Sequence, residues 1–197
     1  SISHELKTPI AVINASVDGL SHVQSPYLAE ITTASRRLQR VVDNLLHMTQ
    51  LESEMLKPRL DWCDMRDVIA AARQAVGSLL EKHHVIVNIT DTFPLVMLDH
   101  SLLSQAIANI LHNAAIYSPE NTAIEIDARL SDSTLRLTIR DHGPGLPAGT
   151  EKLVFDKFYR AHGAPAGGTG LGLAIARGLV QAMGGNISAR NASSGGA

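Results

Sequence analysis

The sequence has no long hydrophobic run, a single cysteine and few aromatic residues, and each shortage excludes a class of protein. No apolar stretch in the 197 residues approaches the ~20 needed to span a bilayer, so we expect this chain to be soluble by itself. One cysteine, Cys63, excludes an internal disulfide framework and fits a reducing compartment. Its simplest interpretation is a small core residue. A formal net charge of -2 provides no basic field, so we expect no nucleic-acid binding.

What remains is the composition of an ordinary globular protein. Hydrophobic residues make up 45% and charged residues 18%, and the length allows one large or two small domains. The chain begins inside an apolar helical pattern and stops at a glycine-rich turn. We therefore expect it to be a piece of a longer protein, cut at both ends.

The first 56 residues predict a pair of helices. Ile2 to Leu20 is apolar at helical spacing, and a longer helix is predicted from Tyr27 to about Met55. An apolar stripe with alternating steps of three and four follows this second helix through Leu28, Ile31, Ser35, Leu38, Val42 and Leu45, and Val41, Leu46 and Met48 widen it. The simplest partner is a second copy, which would form a dimeric four-helix bundle. The alternative is that the hairpin packs on the rest of its own chain.

A different pattern follows Pro58. Residues 57–59 read as a linker, because proline cannot continue a helix. Over 60–197 the sequence predicts helices and strands without a strict alternation: Leu60–Trp62 (strand), Asp64–Glu81 (capped helix), Val85–Ile89 (strand), Asp99–Tyr117 (capped helix), Ala123–Leu130 with Thr134–Asp141 (hairpin), Gly172–Met183 (helix) and Asn186–Asn191 (strand). This mixture favours an α+β sandwich, with a mixed sheet covered by helices on one face.

The N-terminus carries a candidate nucleophile. A neutral imidazole such as that of His4 is a good phosphoryl acceptor, and the carboxylate of Glu5 could orient it or take its proton. Thr8 lies one helical turn further on the same face, where its hydroxyl could position water. A lone histidine is more often structural. The second histidine that a zinc motif needs at this spacing is absent.

Three further patterns suit a nucleotide. Asn109 and Asn113 are four residues apart on one helix face, where their amides could bind magnesium and phosphate oxygens, although either alone could simply face solvent. Asp141 follows a strand and could accept a hydrogen bond from an adenine amino group, while Gly143 and Gly145 let the backbone approach the base. The alternative is that residues 141–145 form an ordinary turn with no role in binding.

The last pattern is a possible lid and phosphate loop. An apolar cluster at Val154–Arg160 precedes a small, Gly/Ala/Pro-rich stretch at His162–Gly168, which suits a lid over a ligand. Gly168–Leu173 then leads directly into an apolar helix, whose N-terminal amides favour phosphate. It is neither a Walker A loop nor a dinucleotide fingerprint.

The order of these motifs resembles the transmitter region of sensor histidine kinases. A histidine box, an asparagine box, a first glycine box, a phenylalanine box and a second glycine box follow one another over nearly the whole chain. The resemblance implies a dimerisation and phosphoacceptor hairpin (1–56) joined to an ATP-binding domain (60–197) of the type shared with gyrase, the heat-shock 90 chaperones and the MutL repair proteins. More narrowly, Gly143–Gly149 with Phe155–Phe158 is similar to potassium-responsive sensor kinases.

The resemblance also implies roles. His4 would be phosphorylated, Glu5 would be its base or orienting acid, and Thr8 would serve phosphatase activity on the partner. Asn113 would ligate Mg²⁺, and Asp141 would bind the adenine amino group of ATP. The implied nucleotide-binding set is Asn109, Asn113, Tyr117, Asp141, Gly143, Gly145, Lys157, Arg160, Gly168, Thr169, Gly170, Leu171, Gly172 and Leu173.

The implied activity is ATP-dependent phosphorylation of His4 and relay to an aspartate of a response-regulator receiver domain, by a homodimer formed through residues 1–56. This piece would be cytoplasmic, and the full-length protein could be anchored in the inner membrane through parts outside this chain. The sequence departs from the family at Ile116, where a lysine is common. Two alternatives stay open: an ATPase of the chaperone or repair class, which would account for residues 99–185, and a degenerate kinase acting as a dimeric scaffold, which Ile116 favours.

Overall fold

The computed structural model describes residues 10–17, 26–53, 56–161, 169–192 and 195–197. The chain divides into two compact units, Ser1–Met55 and Leu56–Ala197. Within the described ranges, no helix combines the length and the apolar character that crossing a membrane requires.

The first unit contains two described helices, α1 (10–17) and α2 (Pro26–Glu52). The side chains of Ile10, Val42 and Leu46 form its buried cluster. The hydroxyl of Ser35 donates to Oδ1 of Asn14 at 2.7 Å, which joins the two helices through a polar contact. The predicted helices are confirmed over the residues that can be compared.

The apolar stripe of α2 is buried on one side only. Val42, Leu46 and Met48 are buried, together with Ser35. Large apolar side chains on the neighbouring face stay exposed in the single chain: Tyr27, Ile31, Leu38, Val41 and Leu45. Exposed apolar side chains at helical spacing leave a face that a further partner could cover.

The second unit is an α+β sandwich, as predicted. Its strands are β1 (Asp61–Cys63), β2 (His84–Asn88), β3 (Val96–Leu98), β4 (Ala123–Ser131) and β5 (Thr134–Arg140). Its α-helices are α3 (Met65–Val76), α4 (His100–Tyr117) and α5 (Gly172–Ala182), and short 3₁₀ helices lie at Gly77–Lys82 and Leu153–Phe155.

The main sheet has the order β2-β4-β5 and is mixed, since β4 runs parallel to β2 and antiparallel to β5. Ile124 and Ile126 of β4 are fully buried against the helices, whereas the alternating Glu125 and Asp127 are half-buried. The helices contribute the other large buried side chains of the core: Met65, Val68, Ile69, Ile107 and Leu111. A separate pair, β1 and β3, is antiparallel.

Two aspartates start the helices, as predicted. The Asp64 side chain accepts from the amide of Arg66 at 2.7 Å and caps α3. Asp99 accepts from the amide of Leu102 at 3.0 Å and caps α4, which carries both asparagines of the candidate site. Its second oxygen accepts from the amide of Arg59 at 2.7 Å, so this buried carboxylate also fixes the preceding chain.

The structure differs from the prediction in three places. The helix predicted to reach Glu81 ends at Val76, because Gly77 adopts a left-handed φ of 64° and a 3₁₀ turn follows. The sequence did not reveal β3, which is only three residues long. The strand predicted at Asn186–Asn191 is wrong, since residues 186–192 form neither strand nor helix.

Cys63 is a buried free thiol, in accordance with its structural interpretation. Burial, followed by the charge of Asp61, raises the pKa of this thiol. The group therefore stays protonated at neutral pH, which disfavours a nucleophilic role.

Candidate nucleotide site

The polar face of α4 supplies the first side of the site. Asn109 and Asn113 lie one turn apart, and both are half-buried. Nδ2 of Asn109 is buried and has no hydrogen-bond partner among the described residues, so a ligand or water would reach it only after a local movement of its surroundings. Asn113 faces the start of α5, because a Cβ built on Gly172 would lie 4.0 Å from its Oδ1. The asparagine box and the second glycine box therefore meet.

The two oxygens of the Asp141 carboxylate differ in their contacts with the described residues. Its Oδ1 accepts from the amide of Gly143 at 2.8 Å and from the amide of Ala197 at 3.3 Å. No hydrogen bond to Oδ2 arises from the residues that the structure describes. Two backbone donors thus fix the orientation of the carboxylate and leave an acceptor of the kind that an exocyclic amino group needs.

Gly143 lies between this carboxylate and the C-terminal end of α4. A Cβ on Gly143 would lie 2.9 Å from the carbonyl oxygen of Tyr117 and 3.1 Å from Oδ1 of Asp141. Only glycine permits that approach without movement. Two residues on, Gly145 has a φ of 78°, which glycine adopts most readily. The first glycine box therefore packs directly against the end of the asparagine box.

The phenylalanine box has a buried and an exposed part. Val154 and Phe155 are buried, whereas Phe158 is 70% exposed. The Arg177 guanidinium of α5 lies 6.0 Å from the centre of the Phe155 ring and 3.7 Å from Oδ1 of Asp156. These contacts hold the 3₁₀ turn of the box against α5.

The second glycine box begins α5. Leu171 is buried, and its amide lies 3.3 Å from Oγ1 of Thr169, which accepts the hydrogen bond. Gly170 has a φ of 70°, and Gly172 and Leu173 are half-buried. The amides of the first turn of a helix favour anions, so the end of α5 that faces Asn113 suits a phosphate group.

Other predicted residues are exposed or lie outside the described residues. Lys157 and Arg160 are exposed beside the phenylalanine box. The predicted nucleophile and its partners, His4, Glu5 and Thr8, lie outside the described residues, as does Gly168 with the rest of 162–168. Ile116 is exposed at the position where the family often has lysine.

The structure adds residues that sequence reasoning missed. Gly196 packs so closely on Asp141 that a Cβ would overlap its carbonyl oxygen. Asn191 binds the backbone of Leu146 through its side chain. His142 lies 3.0 Å from Oε1 of Glu125 on β4. No sequence pattern marked these residues, because each acts through a contact between segments far apart in the chain.

The residues fit a magnesium nucleotide better than a stand-alone metal ion. The part of the chain that the structure describes contains no group of three His, Cys, Asp or Glu residues able to hold a metal. Mg²⁺ commonly takes only one or two protein oxygens and completes its shell with phosphate oxygens and water. One amide oxygen, that of Asn113, is compatible with that mode.

Comparison with known proteins agrees with this geometry. Residues 98–197 match the family described as "Histidine kinase-, DNA gyrase B-, and HSP90-like ATPase", so the second unit carries an ATPase domain of that type. Residues 1–54 match the His Kinase A (phospho-acceptor) domain. The chain therefore belongs to the histidine kinase family.

Individual relatives point the same way. Sensor protein KdpD of Escherichia coli (strain K12) is 33% identical over the whole chain, which spans only 23% of that protein. Full-length ShkA in complex with AMPPNP is similar with a TM-score of 0.76 at 23% identity, over 99% of this chain and 42% of that one. Histidine kinase ThkA in complex with response regulator TrrA gives a TM-score of 0.66 at 20% identity, over 99% of this chain and 57% of that one. The two structures support the fold.

Proposed function

We propose that this chain is the transmitter part of a sensor histidine kinase that binds Mg-ATP in its second unit and phosphorylates His4. The observation that carries the proposal is the carboxylate of Asp141. Two backbone amides hold its Oδ1, and no group among the described residues donates to its Oδ2. Gly143 lies beside it, where a Cβ would come within 2.9 Å of the carbonyl oxygen of Tyr117. This arrangement suits the amino edge of an adenine.

The opposite end of the site would hold the triphosphate. Asn113 Oδ1 would bind Mg²⁺, and the buried Nδ2 of Asn109 would donate to a phosphate oxygen or to bound water. The start of α5 would face the phosphates through the amides near Gly172. When bound, magnesium would neutralise charge on the β- and γ-phosphates.

The proposed step is a substitution at the γ-phosphorus. A ring nitrogen of His4 donates its lone pair to phosphorus, and the bond to the β–γ bridging oxygen breaks with its electrons leaving on ADP. Glu5 would orient the imidazole or take the proton from its other nitrogen. Positioning and charge neutralisation are the main contributions of the protein to such a transfer.

The wider role is a relay. The exposed stripe on α2 suits a homodimer, and transfer to His4 would occur within one subunit or between two. An aspartate of a response-regulator receiver domain would then accept the phosphoryl group; the ThkA–TrrA complex supports this kind of partner. Thr8 and Glu5 would serve the opposing activity, in which water attacks the phospho-aspartate of the regulator and releases inorganic phosphate. Anchoring in the inner membrane and responsiveness to potassium stay predictions about the full-length protein.

The test is incubation with γ-labelled ATP and magnesium, followed by acid and base treatment of the protein. We expect label that is lost in acid and stable in base, as phosphohistidine is. His4→Gln should abolish the label and leave ATP binding intact. His84→Gln, at an exposed position of β2, is the matched control and should keep the label.

The alternatives give different results. An ATPase of the chaperone or repair class would release phosphate without labelling His4. A degenerate scaffold would fail to bind ATP at all. Label that survives His4→Gln would refute the assignment of the nucleophile.

A further inference from the structure

The loop that follows Asp141 lacks regular secondary structure of its own. Residues 141–152 lie between the end of β5 and the 3₁₀ turn at Leu153–Phe155, and they include both glycines of the first glycine box. Backbone groups in such a segment need partners from elsewhere to keep one conformation. What holds this loop therefore determines how well the adenine edge of the site is formed.

Asn191 supplies that partner through its side chain. Its Oδ1 accepts from the amide of Leu146 at 2.6 Å, and its Nδ2 donates to the carbonyl oxygen of Leu146 at 2.8 Å. One carboxamide thus satisfies both backbone groups of one residue, as a neighbouring strand would. A carboxamide is the smallest side chain that offers a donor and an acceptor in this arrangement.

The same side chain touches the neighbouring glycine. A Cβ built on Gly145 would lie 2.8 Å from Oδ1 of Asn191. Gly145 also has a left-handed φ of 78°, so the loop is shaped at this point to admit the carboxamide. The left-handed φ favours glycine on the loop, and the carboxamide of Asn191 lies directly against it.

The segment that carries Asn191 also closes on Asp141. The amide of Ala192 donates to the carbonyl oxygen of Gly196 at 3.0 Å. The amide of Asp141 then donates to the carbonyl oxygen of Ala197 at 2.9 Å, and Ala197 donates to Oδ1 of Asp141. One segment therefore binds the loop at Leu146 and orients the carboxylate that starts it.

We propose that Asn191 is a positioning residue of the adenine pocket, which acts by holding the loop at Gly145 and Leu146 against the segment that orients Asp141. The inference rests on the proposed nucleotide site. Without the carboxamide, the loop would sample other conformations, and part of the free energy of binding would be spent on ordering it. The loss should fall on recognition of the base and spare the phosphate end near Asn113.

The experiment measures dissociation constants of Mg-ATP and Mg-GTP for the wild-type chain and for Asn191→Ala. Losing two hydrogen bonds that order the loop should weaken ATP binding by about tenfold. GTP has a carbonyl in place of the adenine amino group, so its weaker binding should change little and the preference for ATP should fall. Asn186→Ala, an exposed asparagine of the same segment, should leave both constants unchanged.

The outcomes separate this inference from the proposed function. If the wild-type chain does not bind ATP, the proposed function fails. If the wild-type chain prefers ATP and Asn191→Ala keeps that preference, the positioning role is overturned while the function stands. A uniform loss for both nucleotides would also overturn it, since that result indicates a general structural role.

A second measurement covers the case in which Asn191→Ala does not fold. Hydrogen exchange of the wild-type chain without nucleotide should show the Leu146 amide to be protected relative to the amide of Gly149, for which no hydrogen bond is found among the described residues. Exchange of Leu146 at the rate of an unstructured peptide would overturn the inference.

Discussion

The amide of Phe158 donates to the carbonyl oxygen of Gly170 at 2.9 Å, although eleven residues separate them in the sequence. Both residues have left-handed backbone angles, with φ of 64° and 70°. A Cβ on Gly170 would lie 2.7 Å from the carbonyl carbon of Phe158. This hydrogen bond therefore joins the chain before and after the stretch predicted as a lid, at a contact that only glycine allows.

Replacing this glycine should damage the junction. Gly170→Ala adds a side chain to a left-handed residue and forces the backbone of Phe158 to move, so we expect a loss of about 2–4 kcal/mol in the free energy of unfolding. Thermal or denaturant unfolding measures it. ATP binding should weaken in the same variant, because the ordered start of α5 depends on this contact.

Gly149→Ala is the matched control. Gly149 also has a left-handed φ, 79°, but a Cβ there would meet nothing within 4 Å. Gly149→Ala should lose only about 1 kcal/mol of unfolding free energy, because backbone strain is the sole cost. Equal losses of unfolding free energy in Gly170→Ala and Gly149→Ala would show that the close contact between Gly170 and Phe158 does not contribute to stability.

Asp99 should contribute more to the stability of the fold than an ordinary helix cap does. Its carboxylate caps α4 and also accepts from the amide of Arg59, and the residue is 8% exposed. Asp99→Ala leaves two backbone donors without their partner, so we expect a loss of about 2–4 kcal/mol in unfolding free energy. Asp64→Ala removes a cap from α3 with only one amide bound by the carboxylate, and it should cost about 1 kcal/mol. The prediction fails if urea unfolding gives the two variants the same stability.

Local signals predicted much of the second unit. Asp64 and Asp99 mark the starts of α3 and α4, and Ser131-Asp132-Ser133 marks the turn between β4 and β5, where Asp132 and Ser133 have positive φ. These features depend on residues close together in the chain. That the asparagine and glycine boxes serve one nucleotide site was implied by the family resemblance. In the structure a Cβ on Gly143 would lie 2.9 Å from the carbonyl oxygen of Tyr117, and a Cβ on Gly172 would lie 4.0 Å from Oδ1 of Asn113.

Features that depend on distant contacts could not be predicted. Residues 186–191 alternate like a strand, yet Asn191 binds Leu146 with its side chain and the segment joins no sheet. Strand β3 is defined by its pairing with β1, because three residues carry too little pattern of their own. Gly195 and Gly196 read as a plain turn, but Gly196 packs on Asp141.

Asn113→Ala should weaken nucleotide binding only when magnesium is present. If the amide oxygen is a ligand of the metal, its loss should raise the dissociation constant of Mg-ATP by about tenfold or more and change that of metal-free ATP little. Calorimetric titrations with magnesium and with a chelator measure both constants. Asn88→Ala, at an exposed position of β2, should behave like the wild type. An equal loss under both conditions would indicate that Asn113 binds the nucleotide without magnesium.

The exposed apolar face of α2, formed by Tyr27, Ile31, Leu38, Val41 and Leu45, gives a direct test of the proposed dimer. Leu38 lies at its centre and is 48% exposed in the single chain, with Ile31 and Leu45 one heptad away on either side. Leu38→Glu would place a carboxylate from each subunit in the interface, so we expect the dissociation constant of the dimer to rise by at least about a hundredfold. Gln50→Glu adds the same charge to an exposed position of α2 away from the stripe and should leave the dimer intact. Sedimentation equilibrium over a range of concentrations separates the cases: a wild-type chain that stays monomeric, or a Leu38→Glu variant that dimerises as tightly as the wild type, would exclude this face as the interface.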